Sequence, residues 1–375
     1  MKKTTLYHDG ETLGNNESAV VVGASLSGLM TGIALAREGL HVTIIEKAEE
    51  ERPSGGGLRV DGGMFDRSKT ARLLKRLASN GKSSVQLWSS IEYRMRMEAK
   101  ADPRIELRYQ TRVQSIDQDA NSAWVVTDKG ETIQGDILIG ADGHRSLVRR
   151  HVAPHHPDAT FAGYVVWLSS INENNLPEDI RPTHKESGVT MMHGANGFMF
   201  GSITDIDNGT SGSGSRRVGT TWYDRSRNDM LRSLGCVRGS VVHHSLKGPD
   251  IPVEILDELA AEAKVTWSEP WLSAALHGIE SRTIIGIPIK EYVPDLLVKG
   301  RVAIVGDAAH APAPITASGF NESLQDAATL GKCVAKGIRG NAAIDSLAEY
   351  ESLRLNKVRR MVQSGQSMSQ YFGLA

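Results

Sequence analysis

Between Ser18 and Glu46 the chain reads strand, tight turn, helix, strand, acid, and this order narrows the fold more than any other stretch. "SAVVVG" is a short β-branched run of the kind buried in a sheet, and it stops at Gly23. "LSGLMTGIALAREG" spaces its apolar residues at helical intervals and closes on Arg37 and Gly39, a basic last turn and a C-terminal glycine. "LHVTIIEK" is a second buried strand, ending at Glu46. Gly23, Ser25 and Gly28 form a variant of G-x-G-x-x-G with serine at the middle position. The first residue makes the turn, the second lets backbone approach a pyrophosphate, and the third lets helix and strand nearly touch. Free N–H groups at the helix start, beside Ser25 and Ser27, would hold the phosphate. Glu46 is placed to accept hydrogen bonds from a ribose, and Lys47 joins it in the cofactor-binding set. A plain βαβ unit with small packing residues is the bland alternative. A membrane-spanning reading of Val21–Ala36 fails, because about 20 mainly apolar residues are needed and Gly23 interrupts the run.

The rest of the composition bounds the problem. A chain of 375 residues exceeds one ordinary core, so two domains or one elaborated domain are expected. Its net charge of −1 gives no electrostatic footprint for nucleic acid or for an anionic membrane. Cys236 and Cys333 lie far apart and outside metal spacing, which suits a reducing, cytoplasmic setting. Residues 1–17 are polar, lack the apolar core of a secretory signal, and read as a flexible tail. His151, His155 and His156 cluster in a Pro-flanked loop without a cysteine or acid partner, so no metal site is expected.

Two distant segments select the dinucleotide. "GDILIG" is a strand ending on "ADG", which carries Asp142 and Gly143. "RVAIVG" is a strand that delivers Asp307, followed by a Pro-punctuated loop and a helix beginning near Gly319. A carboxylate at a strand end can hold a ribityl hydroxyl. Free N–H groups at a helix start can face the N1/O2 edge of a flavin, where the reduced ring carries negative charge. This chemistry suits FAD.

With these motifs in order, the chain resembles the class A flavoprotein monooxygenases, the aromatic-ring hydroxylases with the para-hydroxybenzoate hydroxylase fold. The resemblance rests on the glycine motif with Glu46, on "ADGHRSLVR", on "GDAAH…P…GFN" and on the closing "LAEYESLRLNKVRR". It implies an α/β fold: a Rossmann-like FAD-binding domain (18–160 and 286–375) with an inserted β-rich substrate domain (161–285). It also implies non-covalent FAD, NADPH or NADH as a transient reductant, and oxygen insertion from O2 through a flavin C4a-hydroperoxide. Carried over by position, Asp307 would hold the ribityl chain and Gly319 would lie near the ring. Asp142 and Gly143 would serve FAD and the pyridine nucleotide, and Val113 would meet the adenine through its main chain. His193, Met199, Tyr223 and Pro314 are candidates for lining the substrate pocket, and His310 is read as support for the flavin loop. The partners implied are a small aromatic substrate and O2, with the enzyme a monomer or homodimer. "LWSSIEYRMRME" and the loop "PITASG" depart from the common pattern and look more like the dihydroxypyridine hydroxylase branch, which "GTTWYDRSR" also resembles. A halogenase is disfavoured by the missing "GWxWxIP", and a lipid epoxidase by the short polar C-terminal segment. An FAD-dependent oxidase or reductase, or a non-enzymatic FAD-binding protein, remains open at this level.

Overall fold

A parallel sheet brings the ends of its strands to one edge, so motifs far apart in sequence can meet there. The computed structural model describes residues 17–50, 56–60, 68–81, 85–182, 188–205 and 216–374. The elements that build the site are, in chain order, β1 (Ser18–Val22), α1 (Leu26–Arg37), β2 (His41–Ile45), α2 (Lys69–Ser79), α3 (Trp88–Ala101), β3 (Ile105–Arg108) and β4 (Ile137–Gly140). They continue with β5 (Thr160–Asn172), β6 (Gly188–Gly194), β7 (Gly197–Asp205), β8 (Arg216–Asp224), α4 (Val253–Thr266), α5 (Trp271–Glu280), β9 (Ile285–Glu291), β10 (Val302–Ile304), α6 (Gly319–Val334) and α7 (Ala342–Leu374).

The first sheet runs in the order β10-β4-β1-β2-β3, with Val298–Lys299 added antiparallel at the β10 edge. Its five main strands are parallel, in register Val22↔Ile45, Val22↔Gly140 and Ile304↔Gly140. Strands buried on both faces should be apolar throughout. Val20, Val21, Ile44, Leu138, Ile139, Val302 and Ile304 are buried accordingly. The order reverses at β1, whose two neighbours lead to opposite sides; that reversal opens a crevice at the carboxyl ends of the strands.

The second sheet is antiparallel, in the order β6-β7-β8-β5-β9. Its faces differ. Trp167, Met199 and Trp222 pack against Leu256 and Leu259 of α4 and Ala275 and Ile279 of α5. Tyr164, Val166, Phe198, Tyr223 and Ile289 lie on the other face and pack with Ile315.

Three sequence expectations change here. The boundary at 286 falls inside β9, which pairs with β5 from Thr160↔Glu291 to Leu168↔Ile285, so β9 belongs to the inserted sheet. Glu17 is not part of a loose tail: its carboxylate accepts the Ile338 N–H at 2.9 Å and its carbonyl accepts the His41 N–H. Residues 1–16 lie outside the described residues. Met199 does not line a pocket; it is fully buried against α4 and α5 on the opposite face from Tyr223.

Candidate active site

Four segments converge on the carboxyl edge of the parallel sheet. Gly23 N–H bonds the Ile45 carbonyl at 2.7 Å, Ala141 N–H bonds that of Val22 at 2.8 Å, and Val305 N–H bonds that of Gly140 at 2.9 Å. The turns that follow are therefore neighbours. Gly23 has φ +104°, and a Cβ there would lie 2.4 Å from the Ala141 carbonyl oxygen. A Cβ on Gly28 would lie 1.7 Å from the Gly23 carbonyl oxygen. One on Gly306 would lie 2.0 Å from the Ser27 hydroxyl oxygen, so Ser27 packs directly against the turn that carries Asp307.

Helix α1 starts at Ser25 with no side-chain cap and no acid in its first turn, which leaves its N–H groups to an anion. Glu46 is buried; its two oxygens accept the N–H groups of Ala24 and Ala48, each at 2.9 Å. Lys47 beside it is exposed. Val113 opens a strand just after Thr111, whose N–H bonds the Glu46 carbonyl, so Val113 stands near the acid.

Asp142 caps the helix Leu147–Val152, accepting from the N–H groups of Leu147 and Val148 and from the Ser146 hydroxyl. Burial raises its carboxyl above the ordinary value against those bonds. Gly143 has φ +78° and open space where a side chain would stand. Asp307 follows β10, in the turn Gly306–Ala308, and is exposed. Surrounding protein raises its carboxyl, opposed by His310, Lys290 and Arg149.

Arg149 joins these two segments. It is fully buried, donating from Nε to the Pro157 carbonyl at 2.7 Å, from Nη1 to the carbonyls of Asp307 and Ala308, and from Nη2 to that of His144. Its guanidinium lies 4.3 Å from the Tyr292 ring centre. In the sequence it shows only as a basic residue after a turn. Cations crowd the same region. Burial, with Lys290, Arg145, Arg149 and Lys47, lowers His144 to about 3. Burial and Arg145 lower Lys290 to about 8, with Asp307 opposing.

Beyond Asp307 the chain turns through Ala311–Ser318 into α6. Pro314 is exposed, and Ile315 packs against the aromatic face of the second sheet. Gly319 opens α6, again with no side-chain cap. Asn321 donates to the Arg59 carbonyl at 3.4 Å, while its own Oδ1 is buried without a partner among the described residues. The aromatic face is built by Tyr223 stacked on Phe198 (4.4 Å, 16°), with Phe200 set edge-on to both at 5.8 and 5.4 Å. Tyr164 lies 5.9 Å from Tyr223. Spacing alone did not single out Phe198, Phe200 or Tyr164. His193 pairs with Phe198 from the outermost strand and is exposed, at the rim of this wall. His151 faces Gln118 and His156 faces Asp295, so these two histidines do not converge.

The sequence pattern of the family described as "FAD binding domain" matches residues 17–91, 88–211 and 258–365. The chain belongs to this family. Among curated relatives, 3-hydroxybenzoate 6-hydroxylase of Klebsiella oxytoca is 26% identical, covering 95% of this chain and 89% of that protein. The FAD-dependent urate hydroxylase of Klebsiella pneumoniae is also 26% identical, covering 92% and 87%. The solved 2,6-dihydroxypyridine-3-hydroxylase of Arthrobacter nicotinovorans superposes with TM-score 0.75 at 19% identity, over 96% of this chain and 93% of that one. The protein is an FAD-dependent monooxygenase of the aromatic-ring hydroxylase type, with the fold of para-hydroxybenzoate hydroxylase. The site fits FAD on its own geometry: a glycine cradle that any side chain would fill, an uncapped α1 for the pyrophosphate, and open space over Gly143.

Proposed function

We propose that the chain hydroxylates a small aromatic or N-heterocyclic phenol-like compound, consuming NADPH or NADH and O2. The observation that carries this reading is the meeting of the FAD edge with an aromatic wall: Ile315, from the loop after Asp307, packs against the face formed by Phe198, Tyr223 and Tyr164. Bound FAD would supply the redox chemistry and the oxygen insertion. The protein supplies binding, orientation and a dry site. The α1 N–H groups, with Gly23, Ser25, Ser27 and Gly28, hold the pyrophosphate. Glu46 and Lys47 serve the ribose end, and the Val113 main chain meets the adenine. Asp307 takes the ribityl chain, and the start of α6 at Gly319 faces the ring, where its dipole favours negative charge. Asp142 and Gly143 border FAD and the transient nicotinamide.

Tyr223, Phe200 and Pro314 bound the substrate, with His193 at the rim. Flat aromatic walls favour a flat ring by offset or edge contacts. They also keep water from the oxygen-transfer step. The dihydroxypyridine hydroxylase likeness makes hydroxylated N-heterocycles the first compounds to try. The two cysteines are free and buried, in keeping with a reducing, cytoplasmic setting, and a monomer or homodimer is proposed. No helix among the described residues is long and apolar enough to cross a membrane. The test is a panel of hydroxylated pyridines, purines and benzoates added to purified protein with NADH or NADPH. A compound that accelerates NAD(P)H oxidation and gains one oxygen atom is the expected result. Uniformly unstimulated oxidation, with hydrogen peroxide as the sole product, would favour an oxidase.

A further inference from the structure

Asp307 is held from an unexpected direction. It sits in the short 3-10 turn Gly306–Ala308, closed by bonds from the N–H groups of Ala309 and His310 to the Gly306 carbonyl, each 2.8 Å. One buried carboxylate grips this turn on both sides of Asp307. Asp326 of α6 accepts at a single oxygen from the Gly306 N–H (2.9 Å) and from His310 Nε2 (2.7 Å). Its other oxygen accepts from Arg354 Nε of α7 at 2.7 Å. Arg354 reaches on from Nη2 to the Glu322 carboxylate and, at 3.2 Å, to the Glu322 carbonyl. His310 and Asp326 are fully buried and Arg354 nearly so. Because Asp326 is the acceptor, His310 carries its proton on Nε2; its Nδ1 is buried without a partner among the described residues. Asp326 is therefore the side-chain anchor of that ring.

Ion pairs taken out of water are poor sources of stability, and apolar packing often replaces them without loss. What they supply is direction: the guanidinium and the imidazole each bond along a fixed line. Here three lines meet on one carboxylate and fix the turn that presents Asp307. We propose that Asp326, clamped by Arg354, is a positioning residue for FAD. It sets the Gly306–His310 turn so that Asp307 meets the ribityl chain, and the proposal rests on that role for Asp307. The C-terminal helix would thus shape the cofactor site without touching the cofactor.

The test compares apo-proteins titrated with FAD, together with the visible circular dichroism of the bound flavin at saturation. Asp326→Asn keeps the shape but turns one acceptor into a donor against Arg354 or His310. It should weaken FAD binding at least tenfold and alter the flavin dichroism. The buried pair also contributes to folding, so a second comparison carries the test if that variant does not fold. His310→Leu removes the donor to Asp326 and should weaken FAD at least fivefold, whereas His310→Gln restores an N–H and should stay within about twofold of wild type. Equal FAD affinity and dichroism in wild type, His310→Leu and His310→Gln would overturn the proposal, as would unchanged affinity in a folded Asp326→Asn. Asp307→Ala, run alongside, separates the two readings. Wild-type affinity in Asp307→Ala with a weakened His310→Leu faults the role given to Asp307 and still supports the clamp on the turn.

Discussion

At the scale of single residues, the cofactor edge is set by contacts too close for substitution. A Cβ on Gly28 would stand 1.7 Å from backbone, so the helix would have to move away from β1. Gly28→Val should abolish FAD retention; a purified variant with full flavin absorbance would refute the phosphate cradle. Asp307→Ala removes a charge-assisted hydrogen bond of about 1.5–3 kcal/mol, roughly tenfold to a hundredfold in affinity. Titration of apo-protein reads this directly. Lys290 gives a pH dependence. Its amine is lowered to about 8, by burial first and then by Arg145, against the pull of Asp307. Below that pH it is a cation within reach of Asp307, at the edge proposed for the anionic cofactor, and above it the charge is lost. FAD affinity of apo-protein should therefore fall as pH rises through about 8, and Lys290→Met should be weaker at pH 7 and flat across the same range. An unchanged slope in Lys290→Met would remove Lys290 from the site.

At the scale of elements, the sheet's two faces carry different work. Phe200 belongs to the aromatic wall, and Met199, its neighbour in β7, belongs to the packing against α4 and α5. Phe200→Ala should raise KM for the aromatic substrate threefold to tenfold, matching the roughly 0.5–1.5 kcal/mol of an aromatic pair. Met199→Ala should cost about 2–5 kcal/mol of stability and leave KM alone. Thermal unfolding and steady-state kinetics on both variants separate the roles; the reverse pattern would mean that the faces are exchanged. This pair also marks where the sequence stops being informative. Strands such as "GFMFGSITD" show alternation, which separates two faces but does not say which one meets helices. That depends on α4 and α5, far along the chain. The boundary at 286 failed for the same reason, since the β5–β9 pairing is long-range. The places of the glycine motif, Glu46, Asp142 and Asp307 at the strand ends were legible because local strand and turn patterns fix where those residues stand. Arg149 and Asp326 were not, because their roles arise only once distant turns are neighbours. Arg354 stood in the closing "YESLR" helix, yet nothing nearby in sequence named its partner.

At the scale of the whole molecule, the described residues contain one dinucleotide-binding edge, and on the proposed reading FAD takes it. The nicotinamide nucleotide must then react from a transient complex, and substrate can control that encounter only by preferring one arrangement of the site. The loop Ala311–Ser318 is the place where such a preference would be felt. Ile315 leans on the aromatic wall, while Thr316 lies against Gly365 of α7, where an added Cβ would be only 3.1 Å away. On the proposed reading, a substrate seated on the wall would touch the same loop that leads into α6. The shift it can cause is no larger than its difference in affinity between the two arrangements; a hundredfold faster reduction requires about 2.7 kcal/mol. NAD(P)H oxidation should accordingly be slow in the protein alone and strongly stimulated by its phenolic or hydroxylated N-heterocyclic substrate. Ile315→Gly should keep FAD binding but lose most of that stimulation, since the wall would no longer push on the loop. The oxygen gained by the product should come from labelled O2. Product formed efficiently without that label would exclude a monooxygenase reaction, and full stimulation in Ile315→Gly would place the coupling elsewhere in the molecule.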